Sequence, residues 1–164
     1  MTAEKILSLD ELAEKVNSAK AEGKKVVQCH GVFDLLHVGH IKHFEEAKSF
    51  GDFLVVTITS DTHVNKGSNR PAFTSVLRLQ VLASLEAVDY VAENNWPTAV
   101  ETIKFLKPDV YCKGPDFRNH TEDITGKIVE EEDAVKSVGG VIKYTADITF
   151  SSSNLLNRFG DVYS

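Results

Sequence analysis

Apolar positions recur along this chain in two rhythms, one helical and one extended, and the exchange between them repeats from end to end. Residues 8–23, SLDELAEKVNSAKAEG, open with Ser8 and Glu11 in capping-box spacing. They set Leu9, Leu12, Ala13 and Val16 on one stripe and stop at Gly23, which predicts an amphipathic helix. KKVVQCH (24–30) reads as a short buried strand. HVGHIKHFEEAKSFG (37–51) then returns to helical spacing in Ile41, Phe44 and Ala47, with a glycine stop at Gly51. The alternation continues through a strand in DFLVVTIT (52–59), a helix in TSVLRLQVLASLEA (74–87), a strand in VDYVAE (88–93) and a helix in PTAVETIKFLK (97–107), where Pro97 suits the first turn. PDVYCKG (108–114) gives a fourth strand, TGKIVEEEDAVKSVGG (125–140) an acidic helix, VIKYT (141–145) a fifth strand, and SSSNLLNRF (151–159) a last helix with serines at its start.

Strands alternating with helices predict an α/β fold: a Rossmann-like parallel five-stranded sheet, helices on both faces, joined by right-handed crossovers. No repeat or low-complexity linker divides the chain, and EEED at 130–133 reads as the solvated face of its helix. With 164 residues, 42% of them hydrophobic, there is enough apolar material for one domain over 1–164, an N-terminal helix (1–23) leading into a core (24–159). The pattern fits a whole small protein and one domain of a longer one equally well.

A formal charge of −6 provides no broad basic surface, which argues against nucleic acid as the main partner and leaves any bound anion to a local pocket. No basic, apolar leader opens the chain and no apolar run approaches the roughly 18 residues of a membrane span. A cytoplasmic protein without membrane contact is the expectation. Cys29 and Cys112 lack the close spacing of a metal knuckle or redox pair and fall in strands, so buried thiols are expected.

The densest chemistry is HGVFDLLHVGHIKH, residues 30–43, which holds four of the six histidines. It occupies the first strand-to-helix turn, at the carboxyl end of the strand, where parallel sheets bind ligands. Gly31 lets the backbone approach a ligand and Gly39 does so at the helix start, where unpaired N–H groups and the helix dipole favour an anion. His37 and His40, three residues apart, project to one side as two imidazole donors able to grip neighbouring phosphate oxygens. A zinc site would need a third ligand, and no HExxH or cysteine pair supplies it, so no metal ligand is assigned. His43, His63 and His120 read as packing or surface residues, while His30 is open between packing and lining a pocket. Asp34 reads as a residue that caps or orients the helix. Arg78, inside an apolar helix, needs an anionic partner.

GVFDLLHVGH resembles the GxFDxxHxGH signature of the cytidylyltransferase-like nucleotidyltransferases. TSDTHVNKGSNRPAFTSVLRLQVLASLEAVDYV, KPDVYCKGPDF and SSSN are similar to segments of that family's heptose 1-phosphate adenylyltransferase subgroup, so the resemblance covers roughly residues 25–159. It implies that His37 and His40 bind the triphosphate, that Val32 and Phe33 offer backbone contacts to the nucleotide, and that Lys66 contacts the phosphates of one or both substrates. It also implies Arg78 at the triphosphate, Asp116 near the nucleotide, Lys113 at the pocket wall, and Ser151, Ser152 and Ser153 at the departing pyrophosphate; apart from the resemblance, Lys113 reads equally as a partner of Asp116. The activity implied is transfer of a nucleoside monophosphate from ATP or CTP to a phosphorylated sugar or polyol, with Mg²⁺ accompanying the nucleotide and a homodimer as the assembly. Glycerol phosphate or a related alcohol phosphate with CTP is the alternative acceptor, and a non-catalytic nucleotide-binding module is an alternative of another kind. Pro115 replaces the second glycine of the subgroup's KGGD and removes a backbone donor, and ITFSSSN lacks the arginine of the alcohol-phosphate branch.

Overall fold

The computed structural model describes residues 2–115 and 126–146. Its strands are Val26–Gly31 (β1), Phe53–Thr59 (β2), Tyr90–Asn94 (β3), Val110–Lys113 (β4) and Val141–Tyr144 (β5), and its α-helices are Leu9–Ala21 (α1), Val38–Ser49 (α2), Ser75–Ala83 (α3), Val100–Leu106 (α4) and Lys127–Ser137 (α5). The five strands form one sheet in the order β3-β2-β1-β4-β5, every pair parallel. The predicted helix at 151–159 lies outside the described residues, as do His120, Asp116 and the three serines.

Alternation along the strands builds two cores. Val27, Leu54, Val56, Ile58, Val91 and Val110 face α2 and α3, meeting Phe44, Ala47, Leu79 and Leu82. On the other face Val26, Val55 and Ala92 meet α1 through Leu9, Leu12 and Val16, and Tyr111 meets α4 and α5 through Ile103, Ala134 and Val135. Strands buried on both faces explain the near-continuous apolar runs, which is how parallel sheets read in sequence. Both cysteines are free and buried, as expected.

Local chemistry sets the helix ends. The Ser8–Glu11 capping box forms, with Ser8 N–H donating to Glu11 Oε2 at 2.8 Å and Glu11 N–H to Ser8 Oγ at 3.2 Å. The helix expected from Pro97 begins instead at Val100, because Asn94 Nδ2 donates to the carbonyls of Trp96 (2.9 Å) and Thr98 (2.8 Å) and holds those residues in a turn. Likewise α3 ends at Ala83 rather than 87, and the turn that follows packs Leu85 and Ala87 onto the core.

From β1 the chain builds outward to β2 and β3 on one side, then crosses back to lay β4 and β5 on the other. The carboxyl end of β1 is therefore the topological switch point, where loops on the two sides diverge and leave a crevice. Residues 31–37 leave the sheet at that end.

Gly51 turns the chain from α2 into β2 against β1, and a Cβ there would stand 2.8 Å from Lys25 O and 2.7 Å from Val27 Cγ2. Gly51→Ala is expected to lower stability by about 1–3 kcal/mol through this overlap. A urea midpoint equal to that of the parent would contradict the close approach.

Candidate functional site

The β1–α2 loop is shaped by its own aromatic and imidazole rings. Phe33 takes a left-handed conformation (φ 49°) and folds its ring back over Gly31, where a Cβ would meet Phe33 Cζ at 2.9 Å. The ring packs edge-on against Phe44 and His40, at centroid distances of 5.0 and 6.0 Å. A left-handed phenylalanine is a strained choice, held here by that packing.

His37 is the N-cap of α2. Its Nδ1 accepts from Gly39 N–H at 3.0 Å, while His40 Nδ1 accepts from His37 N–H at 3.3 Å. The His40 N–H in turn donates to His37 O at 3.0 Å. This corrects the expectation of unpaired N–H groups at the helix start: those of Gly39 and His40 are taken, because an imidazole nitrogen caps a helix as a serine oxygen does. The capping bonds also fix the tautomer. With Nδ1 accepting in both rings, the proton of each neutral ring sits on Nε2, so the helix start presents two Nε2–H donors. The rings lie 4.2 Å apart, centroid to centroid, and His37 Nε2 is buried without a hydrogen-bond partner. Burial, then the neighbouring His37, His43 and Lys66, push His40 down to about 4, and burial lowers His37 as well. Both are neutral donors at neutral pH.

Asp34 does not cap α2. Its carboxylate accepts from Ala72 N–H (2.6 Å), Phe73 N–H (2.8 Å) and Arg70 Nε (3.0 Å), clamping the β2–α3 segment against the histidine loop. Burial alone would raise its pKa, but these three bonds hold it below the ordinary aspartate value.

Arg78 has its anionic partner, though within the protein. Its side chain is fully buried, with Nε donating to Phe73 O (3.1 Å), NH1 to Val32 O (2.8 Å) and Thr59 O (2.9 Å), and NH2 to Asp61 Oδ1 (2.6 Å). The guanidinium stands behind the site and is committed to protein acceptors. Of the Val32 backbone, which the resemblance offers to the nucleotide, the carbonyl accepts from Arg78.

Lys66 lies between the histidines and a second feature. It depresses His40 from one side and lines a cavity of about 220 Å³ on the other, together with His30, Thr59, His63, Lys127 and Glu131. His30 thus lines a pocket, its Nδ1 2.9 Å from Thr57 Oγ1; burial, then Lys113, lower its pKa to about 3. His63, expected to be a packing or surface residue, joins the same wall and is held by Ser60 Oγ at 2.7 Å. Glu131 corrects the reading of 130–133 as a solvated face: it is buried and pairs with Lys113 Nζ at 3.1 Å. The signal was present, because Glu131 falls on the stripe of Ile128 and Val135. Lys113 is itself buried, 5.6 Å over the Tyr111 ring, and is absent from the lining of this cavity. The structure gathers His37, His40, Gly31, Val32, Phe33, Gly39 and Lys66 at the carboxyl end of the central strands.

Comparison with known proteins adds three findings. A family model described as cytidylyltransferase-like matches residues 28–158. The chain is 39% identical over 165 residues to the bifunctional protein HldE of Geobacter metallireducens, covering 97% of this chain and 32% of that protein, and 42% identical over 135 residues to HldE of Aliarcobacter butzleri. It thus spans about a third of the length of these relatives. Among solved structures, a lipopolysaccharide core biosynthesis protein from Thermoplasma volcanium matches with a TM-score of 0.62 and 27% identity, covering 79% of this chain and 100% of that one. A pantoate-beta-alanine ligase from Francisella tularensis, 18% identical with a TM-score of 0.61, shares the fold.

Two predictions follow from the geometry. Unfolded histidines titrate near 6.5, whereas His30 and His40 are held to about 3 and about 4 in the fold. The unfolded chain therefore binds more protons below pH 6.5, so stability is full above that pH and drains as pH falls toward 4. The melting temperature should drop by roughly 5 °C or more between pH 7 and pH 5, and imidazole NMR shifts of the folded protein should show both rings neutral at pH 6. Arg78→Met strands the carbonyls of Val32, Thr59 and Phe73 and should cost about 3 kcal/mol by urea denaturation. An unchanged midpoint would mean that Arg78 serves a ligand alone.

Proposed function

Because the chain belongs to the cytidylyltransferase-like family, we propose that it is a nucleotidyltransferase that moves an adenylyl group from ATP to a sugar phosphate and releases pyrophosphate. The observation that carries this reading is the pair of Nε2–H donors on His37 and His40, set side by side at the switch point with their inner nitrogens spent on capping. Two adjacent neutral donors suit oxygens of neighbouring phosphates.

The reaction needs no enzyme nucleophile. An acceptor phosphate oxygen attacks the α-phosphorus as the bond to the pyrophosphate oxygen breaks, and the protein's task is to position both anions and offset the charge that shifts onto the leaving group. His37 and His40 donate to the polyphosphate, and neutrality lets them do so without giving up a proton. Lys66 reaches the phosphates of both substrates from its place between the histidines and the cavity. His63, Lys66 and Lys127 in that cavity wall suit an acceptor bearing its own phosphate, and His30, tied to Thr57, shapes the floor. Asp34 acts at one remove, by holding the Arg70–Phe73 segment that follows Lys66.

Magnesium fits this site as an ion carried by the phosphates. Among the described residues, the carboxylates at the site, Asp34, Asp61 and Glu131, are committed to Arg70, Arg78 and Lys113 and form no cage. When bound, Mg²⁺ would neutralise phosphate oxygens and help hold the triphosphate extended. The resemblance of residues 25–159 to the heptose 1-phosphate adenylyltransferase subgroup, together with the similarity to a lipopolysaccharide core biosynthesis protein, supports a sugar phosphate acceptor and ATP as donor over glycerol phosphate and CTP.

A matrix of nucleoside triphosphates against phosphorylated sugars and polyols with Mg²⁺, scored by pyrophosphate release, tests the reading. ATP with a sugar phosphate should give the largest kcat/KM; absence of turnover with every pair would leave a binding module. Within the active pair, His40→Ala should lower kcat/KM by about a hundredfold. His37→Asn, which keeps an oxygen for the cap and loses the Nε2–H, should fall comparably with its circular dichroism unchanged. Near-parental turnover in both variants would remove the proposed mechanism.

A further inference from the structure

Beneath the histidine motif, on the side of the sheet that α2 covers, three soft donor groups meet that the transfer chemistry does not use. Gln28 of β1 pairs with Tyr111 of β4, and the next residue on each strand is a cysteine. Alternation turns Cys29 and Cys112 to the face of Val27 and Val110, where both are buried beside Phe44 and Ala47. His43 descends from α2 onto the same spot. The two sulfurs and one ring nitrogen of His43 lie within 4.8 Å of one another.

We propose that Cys29, His43 and Cys112 bind a soft divalent cation of the zinc class, seated between β1, β4 and α2 and independent of the nucleotide reaction. The donor set is the first reason: two thiolates and an imidazole are the ligands such an ion takes in tetrahedral sites. Spacing is the second. Neighbouring ligands of tetrahedral zinc stand about 3.5–3.8 Å apart, so the 4.8 Å limit requires a contraction of about 1.3 Å at most. Charge is the third. Each thiol releases its proton to solvent on binding, two protons leave per ion, and two thiolates neutralise the dication, so the apolar core takes on no net charge. His43 Nδ1 lies 2.9 Å from Thr145 Oγ1, and Thr145 N–H donates to Lys113 O at 3.0 Å, so the ring is oriented from β4 and β5. Such support from an outer hydrogen bond is what a ligating imidazole ordinarily has. Only His43 of the three is partly exposed, which gives the ion a way in.

The sequence alone points to no metal here, because the cysteines are far apart along the chain and neither is near a paired ligand. The parallel register of β1 and β4 makes them neighbours, and α2 adds the third group. A bound ion would fasten the helix that carries His37 and His40 to the two strands flanking the switch point.

Co²⁺ titrated into the reduced, metal-free full chain provides the test. A thiolate-to-cobalt band in the near ultraviolet should saturate at one equivalent, vanish on adding Zn²⁺, and accompany release of two protons per ion in weak buffer. Cys112→Ala should weaken Co²⁺ binding by more than about tenfold, whereas His37→Asn should leave the band intact, separating this site from the histidine pair above it. Should Cys112→Ala not fold, the parent protein still decides: Zn²⁺ should raise its melting temperature and slow alkylation of both thiols. No charge-transfer band at one equivalent, a band unchanged in folded Cys112→Ala, or a parent mass showing a Cys29–Cys112 disulfide formed in preference to metal uptake would overturn the proposal. None of these outcomes depends on turnover.

Discussion

One buried guanidinium holds the working edge of this sheet together. Arg78 reaches from α3 to the carbonyls of Val32 after β1, Thr59 at the end of β2 and Phe73 before its own helix, and closes the set on Asp61. These acceptors belong to loops that leave the sheet in different directions, and loops carry little packing of their own. A planar fork with five donors can bind several of them at once, which no lysine could do. Its charge sits in the interior at tolerable cost because each contact is a charge-assisted hydrogen bond and the partner carboxylate is partly solvated. Asp34 repeats the device from the opposite side, an acceptor that gathers two N–H groups and Arg70. Between them the histidine loop and the Lys66 segment become one body.

On that body, the capping of α2 does two jobs with the same atoms. A serine at the N-cap would satisfy Gly39 N–H equally well and leave nothing beyond the helix. A histidine satisfies it through Nδ1 and presents Nε2–H on the far side of the ring, and His40 does the same from the next turn. In the proposed reading, the ring's second nitrogen turns a structural cap into a ligand donor whose direction is set by the backbone. Keeping Nδ1 occupied and the rings half-buried favours the neutral form, so donor capacity does not depend on ambient pH through the physiological range.

The fold was largely legible because parallel strands buried on both faces and amphipathic helices write distinct periods, and the sheet, its cores and the Ser8 cap all followed from them. Helix ends were less so: Asn94 and Leu85 act through turns whose hydrogen bonds have no periodic signature. At the site, the position of the histidine pair could be read, since spacing and place in a strand-to-helix turn are local. Arg78 was visible as a cation needing an anion, but not whose anion, because Asp61 and the three carbonyls come together only through tertiary contacts. Asp34 reads as structural and is so, but its partners, lying 36 to 39 residues away, are invisible for the same reason. Glu131 was misread because four consecutive acids look like solvent-facing charge, although its position on the apolar stripe says otherwise.

The same edge divides two kinds of electrostatic work. On the α2 side the groups offered are neutral donors, and of the cations nearby Arg70 and Arg78 are matched by Asp34 and Asp61. On the other side the cavity wall brings Lys66, Lys127 and His63 together, while Glu131 pairs with the buried Lys113 behind it. A polyphosphate that carries its own counter-ion suits the first environment, where extra fixed cations would bind ground state and transition state alike and gain little in rate. A lone phosphate monoester lacks such a counter-ion and needs the second. In the proposed transfer, Lys66, facing both, would be the cation nearest the charge that shifts, and the clamp on Asp34 holds the segment that follows it.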